Sequence, residues 1–108
     1  MSNPVKISLK ELVDHPEKYV NKKVEVKALL ILLGKSPRGP VYSINLPEDE
    51  EYCIGVLKTE DAMLLCYGLE ELPFEEYNNR EVIVVGRFLK VHDSWILKII
   101  KIEVVKKQ

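Results

Sequence analysis

The chain has 108 residues, of which 46% are hydrophobic and 31% are charged, and its sixteen basic and seventeen acidic side chains leave a net charge of -1. That length suits one domain, which we expect to cover residues 1–108, and the near-neutral charge argues against a strongly basic, dedicated nucleic-acid binder. The sequence has no run of eighteen uncharged apolar residues and no apolar signal-peptide core, so we expect a soluble cytoplasmic protein without a membrane partner.

The first predicted element is a short helix. Ser8 and Glu11 have the spacing of a capping box, in which each side chain satisfies a backbone N–H of the first turn. The helix is predicted over residues 9–14, because the residue before Pro16 is disfavoured in the α region. Residues 7–20 therefore form a helical lead-in to the first strand.

The first strand is predicted over residues 23–33. Val24 and Val26 alternate with charged residues at period two, which is typical of a half-buried strand. From Ala28 onward the strand is apolar on both faces. A strand that becomes buried on both sides passes between two sheets, as the long first strand of a small barrel does.

A basic loop and a hairpin follow. Residues 34–40 contain the Gly and Pro residues that interrupt regular structure. Two shorter strands are predicted over residues 41–46 and 52–58. They are joined by residues 47–51, whose four acids give the hairpin an acidic tip.

A second helix is predicted over residues 60–67. Thr59 is a suitable N-cap, acidic residues occupy the first turn, and Gly68 is a suitable C-terminal stop. The rest of this segment is apolar, which indicates a largely buried helix.

The last two strands are predicted over residues 81–91 and 95–105, with a turn at 92–94. Apolar residues in the final strand occupy odd positions up to Ile99 and even positions from Ile100. This change of phase predicts a β-bulge.

One pattern occurs twice, 58 residues apart. Each copy contains a Tyr, an Asn suited to a left-handed turn, a base and then alternating small apolar residues. The copies are Tyr19, Asn21, Lys22, Val24, Val26, Ala28 and Tyr77, Asn79, Arg80, Val82, Val84, Gly86. The repeat predicts that the first and fourth strands of one barrel are entered in the same way. Tyr19, Phe74 and Tyr77 are expected to anchor the core.

The segment from Ser8-Leu9-Lys10-Glu11-Leu12 through Tyr19 to Val26 resembles the entry to the first strand in the tRNA-anticodon-like and replication-protein-like OB-fold domains. The resemblance implies an all-β protein, a five-stranded OB-fold Greek-key barrel over residues 23–105, with an N-terminal helix and a helix between strands three and four. Ala28 is a departure, because that group often has a Gly there that lets the first strand bend.

The resemblance also implies a binding module. OB-folds accept ligands across strands two and three, between the loops that join strands one to two and four to five. Single-stranded nucleic acid needs cations for its phosphates and flat side chains for its bases. The predicted binding residues are Lys35, Arg38, Tyr42, Tyr52, Lys90, His92 and Trp95. Weak, sequence-tolerant binding of single-stranded DNA or RNA is the predicted function.

The charge distribution bears on this prediction in two ways. Residues 47–76 carry ten acids and one base, a net charge of -9, and the remainder carries fifteen bases and seven acids, a net charge of +8. A basic face is therefore compatible with the neutral sum. The acidic tip at residues 48–51 argues against a long binding groove on its own side, because it repels phosphates.

Each predicted binding residue has a structural alternative. Trp95 suits a cap on the barrel end as well as a base-stacking site, and Lys35 and Arg38 suit a solvated loop. Lys98 and Lys101 are expected only to keep the last strand from pairing with other chains. The alternative function is a protein-protein interaction module, because a fold alone does not fix function.

Other chemistry has little support. Cys53 and Cys66 belong to no CxxC unit and are expected to be buried thiols, with a disulfide as the minority option. The two histidines, His15 and His92, lack zinc-site spacing and a nucleophile partner, so we expect no metal, cofactor or enzymatic activity. The Lys, Glu, Ile and Val content resembles that of thermophile proteins.

Overall fold

The computed structural model describes residues 3–36, 52–69, 72–91 and 93–105, without the side chains of residues 35 and 36. A short strand β1 (Val5–Lys6), a helix α1 (Leu9–Asp14) and one 3-10 turn (Pro16–Lys18) precede the main strands. The main strands are β2 (Lys23–Ser36), β3 (Tyr52–Lys58), β4 (Met63–Leu69), β5 (Arg80–Val91) and β6 (Ser94–Val104).

Helix α1 begins and ends as predicted. The Ser8 side chain accepts a hydrogen bond of 3.1 Å from the Glu11 backbone N–H, which satisfies one of the unpaired donors of the first turn. Leu9 and Leu12 lie on the buried face of the helix and are no more than 1% exposed. The helix therefore closes one side of the core, although it has only six residues.

Strands β2 to β6 close into a barrel. The strand order is β2, β3, β4, β6, β5, and β5 pairs again with β2. All of these pairings are antiparallel except that of β4 with β6, which is parallel. Strand β1 pairs in parallel with β2, with Val5 opposite Val24. The predicted all-β Greek-key barrel is confirmed.

The interior of the barrel is apolar, and no buried polar or charged side chain occurs among the described residues. Phe74 and Phe88 are its largest fully buried side chains. Tyr19 and Tyr77 pack against this core, as the repeat predicts. The inward side chains alternate along each strand, so the opposite residues face outward.

The predicted second helix over residues 60–67 is wrong, because Met63–Leu69 forms the third barrel strand. Short apolar runs do not distinguish a buried helix from a strand. The Thr59 backbone N–H donates to the Ala62 carbonyl at 2.9 Å, so the predicted cap is instead the tight turn between β3 and β4. Residues 72–79, before β5, form turns.

The barrel strands therefore differ from the predicted ones in their order along the chain. Residues 52–58, predicted as the third strand, form the second. The strand predicted over residues 41–46 and the acidic tip at 47–51 lie outside the described residues.

The sequence repeat corresponds to a structural one. Asn21 and Asn79 have φ of 65° and 63°, both in the left-handed region. The Asn21 N–H donates to the Phe88 carbonyl at 2.6 Å, and the Asn79 N–H donates to the Leu30 carbonyl at 2.7 Å. Because Leu30 and Phe88 are also 58 residues apart, the two bonds are equivalent.

An approximate twofold axis therefore relates the two copies. Strands β2 and β5 pair antiparallel with Val26 opposite Val84, so this residue of the first copy faces its own counterpart. The prediction that the two copies are the first and fourth strands of one barrel is confirmed.

Two bulges bend the barrel. The predicted bulge in β6 is confirmed at Ile100, which is 49% exposed and has no partner between the Val85–Lys101 and Gly86–Ile99 pairs. A second bulge lies at Leu33 in β2. Ala28 pairs regularly with Val82, so the first strand needs no bend there. At Gly86, the equivalent position in the second copy, the backbone of β6 lies so close that an added Cβ would collide with the Lys98 carbonyl oxygen.

Candidate nucleic-acid interface

A second apolar cluster lies on the outer face of the barrel, over β3, β4 and β6. Tyr52, Ile54, Tyr67 and Ile96 form its buried part, and Leu65, Leu89 and Val91 pack against it. Cys53 and Cys66 belong to the inner core, so their neighbours in the strands point outward. Because β3 and β4 are the second and third barrel strands, this cluster occupies the face on which OB-folds accept ligands.

Two tyrosines form the aromatic part of this cluster. The ring centroids of Tyr52 and Tyr67 are 5.4 Å apart with an interplanar angle of 68°, an edge-to-face arrangement. Their side chains are only 3% and 7% exposed, and burial raises the pKa of Tyr67. Tyr52 therefore lies on the predicted strand, but neither ring presents an open face to a base.

Trp95 and Lys90 lie opposite each other where β5 turns into β6. The Trp95 ring stacks on Phe88 at 5.4 Å between centroids and 6° between planes, and it packs against the inner core. The Lys90 ammonium lies 5.3 Å from the centroid of the Trp95 ring, within the range of a cation–π contact. Trp95 thus closes the barrel end and places an exposed cation beside it.

Of the other predicted binding residues, the structure describes only the backbone of Lys35. Lys35 belongs to β2, opposite Cys53, and not to a loop as predicted. The bulge at Leu33 restores pairing beyond Gly34, so the strand continues to Ser36. Arg38, Tyr42 and His92 lie outside the described residues.

The structure reveals a row of cations that the linear sequence does not indicate. Arg87 on β5 lies opposite Lys23 on β2 and also opposite Lys98 on β6. Its guanidinium donates to the Asn21 carbonyl at 2.7 Å. Sequence reasoning assigned Lys98 only a role against edge pairing, because the three cations come together only through strand register.

Carboxylates neutralise only some of the described cations. Ion pairs of 2.8–4.0 Å hold five lysines: Lys6 with Glu25, Lys10 with Asp14, Lys18 with Glu11, Lys27 with Glu81 and Lys101 with Glu103. Lys23, Lys90 and Lys98 have no carboxylate within ion-pair distance in the described part of the chain. Unneutralised positive charge therefore adjoins the outer cluster at Lys98 and the barrel end at Lys90.

No three His, Cys, Asp or Glu side chains come together to hold a metal in the described ranges. Helix α1, the sole α-helix of those ranges, is far too short to cross a membrane. Both cysteines are buried and outside any disulfide, and burial raises the pKa of Cys66 to about 12, which keeps this thiol protonated.

Solved structures with the same fold include three OB-fold chains. A Leishmania major Friedlin protein provisionally assigned as an aspartyl-tRNA synthetase matches with a TM-score of 0.65 and 18% identity, over 100% of this chain and 22% of that one. The second OB-fold domain of replication protein A from Methanococcus maripaludis matches with a TM-score of 0.57 and 11% identity, over 82% and 89%. The yeast Stn1 and Ten1 structure matches with a TM-score of 0.68 and 13% identity, over 98% and 65%.

These likenesses show the OB-fold. The chain spans about a fifth of the Leishmania protein and just under two thirds of the yeast chain. No protein-family model and no curated protein matches the sequence.

Proposed function

We propose that this OB-fold chain is a nucleic-acid-binding module that binds single-stranded DNA or RNA weakly and with little sequence preference. The module acts in the cytoplasm by binding alone, without a catalytic step, a cofactor or a metal. The ligand face is the outer surface of β3 and β4 with the adjoining strand ends, and the binding residues we propose are Lys35, Arg38, Tyr42, Tyr52, Lys90, His92 and Trp95.

One observation carries the proposal: the outer apolar cluster and the barrel end at Trp95 each adjoin a cation that no described carboxylate neutralises. Lys90 lies beside Trp95, and Lys98 lies opposite Tyr67 in the β4–β6 ladder. A surface for single-stranded nucleic acid combines such cations with apolar and aromatic contacts for the bases. The half-buried Trp95 is the aromatic ring that a base reaches by displacing the Lys90 ammonium.

The similar structures give coarser support. One is named for a tRNA synthetase and another for replication, and both names refer to work on nucleic acids. At such low identity to this chain, the similarity supports a shared fold and does not identify binding residues.

Salt dependence tests the proposal. Fluorescence anisotropy with labelled single-stranded DNA and RNA should give affinities that fall as salt rises, with a log–log slope of about -0.7 for each phosphate contact. Lys90→Gln should weaken binding and flatten the slope, whereas Lys27→Gln, which removes an ion-paired lysine on β2, should not. No measurable binding to either nucleic acid would contradict the proposal.

A protein-docking function is the second candidate, because the outward residues of β4 are all apolar. Met63 and Leu69 at its two ends are 60% and 38% exposed, with Leu65 and Tyr67 between them. An apolar stripe of this kind is typical of partner surfaces. Binding to a protein partner that is insensitive to salt and is lost in Met63→Ser, with no oligonucleotide binding, would favour this candidate over the first.

A further inference from the structure

Three cations form a row across three barrel strands, starting at Lys98 beside the proposed face. Lys23 on β2, Arg87 on β5 and Lys98 on β6 are directly opposite one another in successive ladders. Each flanks an inward residue of the core, so all three lie on the outer face. Neighbouring strands are about 4.8 Å apart, so the row spans about 10 Å.

This arrangement costs stability. Like charges directly opposite each other in a sheet are destabilising, and Arg87 faces a like charge on both sides. The same face carries Glu25 one row away, but its carboxylate lies 4.0 Å from the Lys6 ammonium. Nothing described on the row itself offsets the repulsion with a carboxylate.

The internal symmetry supplies a comparison within the same molecule. The approximate twofold axis carries the Lys23–Arg87 pair onto Glu81 and Leu29, which are also directly opposite each other. That equivalent position has no cation, and Glu81 forms an ion pair with Lys27. The barrel geometry therefore does not require opposed cations at this point of the ladder.

The central cation is held in place. Asn21 adopts its left-handed turn and directs its carbonyl oxygen to the Arg87 guanidinium, 2.7 Å away. One terminal nitrogen is used in this way, and the planar group retains further donors suited to a phosphate. Such a neutral acceptor orients the arginine without cancelling its charge.

The row also meets the proposed ligand face. Lys98 is opposite Tyr67 on β4, so the line continues from the three cations into the outer cluster. We propose that Lys23, Arg87 and Lys98 form a phosphate-binding track that carries a single strand of nucleic acid beyond β4, across β6 and β5 to β2. This inference rests on the proposed function and extends its binding site to a second face of the barrel.

Oligonucleotide length separates the track from the proposed face. OB-fold sites cover about 4 to 16 nucleotides, so anisotropy is measured on the full chain with single strands of about 4 and about 16 nucleotides. Lys23→Gln, at the end of the track farthest from the proposed face, should weaken binding of the longer strand about threefold at low salt and reduce its salt slope by about 0.7, the value for one phosphate contact. Binding of the shorter strand should change less than twofold.

The matched control is Lys27→Gln, which removes the same charge from the same strand but takes an ion-paired lysine. It should leave the longer strand bound as in the wild type. The track variant should also melt no lower than the wild type, because it relieves repulsion, and this confirms that it folds.

The outcomes are distinguishable. Equal effects of the track variant and the control would overturn the track and leave the proposed function standing. Wild-type protein that binds neither oligonucleotide would overturn both.

Discussion

Asn21 and Asn79 show how single residues set the entry to each long strand. Both adopt φ near +64°, a conformation that costs most residues with a Cβ about 1–2 kcal/mol and costs Asn less. Each then directs its backbone N–H to a carbonyl of the opposite long strand. The residue type is therefore explained by backbone conformation and needs no role in binding.

Substitution of these asparagines tests that explanation. We expect Asn21→Ala and Asn79→Ala each to lower the free energy of unfolding by about 1 kcal/mol, and the corresponding Gly variants to stay near the wild type. Urea denaturation measures both. Ala variants as stable as the Gly variants would show that the left-handed conformation is not the cause.

The contact between Glu11 and Tyr19 makes stability depend on pH. The Tyr19 hydroxyl donates to the Glu11 carboxylate at 2.7 Å, and this bond is the main cause that lowers the pKa of Glu11. A carboxyl with a lowered folded pKa stabilises the protein above its unfolded pKa, and the stabilisation is lost as the pH falls through the folded value. Nearby His15 and Lys18 act in the same direction.

We therefore expect Glu11→Gln to flatten the loss of melting temperature on acidification. Melting temperatures between about pH 3 and pH 7 should fall less steeply in this variant than in the wild type. Glu17→Gln, at an exposed position of the adjacent turn, is the control and should keep the wild-type slope. Equal slopes for all three proteins would count against the contact.

Gly86 on β5 leaves no room for a side chain toward β6. A Cβ there would meet backbone, the Lys98 carbonyl oxygen, which cannot move aside as a flexible side chain does. We expect Gly86→Ala to lower the free energy of unfolding by about 2 kcal/mol. Ile100→Thr, on the facing strand and exposed, should change it by less than about 0.5 kcal/mol, and urea denaturation compares the two.

The elements that sequence predicted well are those with a clear period. Strand β2 was predicted from alternating valines, and the bulge at Ile100 from a change of phase in β6. Strand β4 was predicted as a helix, because Thr59 with its acidic neighbours suits a turn as well as an N-cap, and the apolar residues after it have no diagnostic spacing.

The candidate site was less predictable, for a related reason. The OB-fold resemblance predicts Tyr52 on a ligand-facing strand and Lys90 and Trp95 near the last loop, but the burial of Tyr52 depends on packing between strands. The row of Lys23, Arg87 and Lys98 depends on register between three strands that are distant in sequence. Register follows from closure of the barrel, which no local pattern specifies.

We propose that the 108 residues form one cooperative domain, as their length predicts. Trp95, the single tryptophan, reports on the barrel end through its stacking on Phe88. Thermal unfolding followed by Trp fluorescence and by far-ultraviolet circular dichroism should give coincident midpoints. Separate transitions would show that the barrel end or the N-terminal helix unfolds independently.

The facing of Val26 with Val84 has a consequence for incomplete chains. Because the second copy repeats the first, β2 is complementary to another β2 as well as to β5: Val24 would lie against Ala28, and the Asn21 amide would again meet the carbonyl of residue 30. A polypeptide that stops before residue 80 lacks β5, so the exposed edge of its β2 can pair with the same edge of a second copy. Premature termination or proteolysis in the β4–β5 connection thus yields fragments prone to antiparallel pairing through β2. The intact sequence avoids this because β5 pairs with β2 within the same chain.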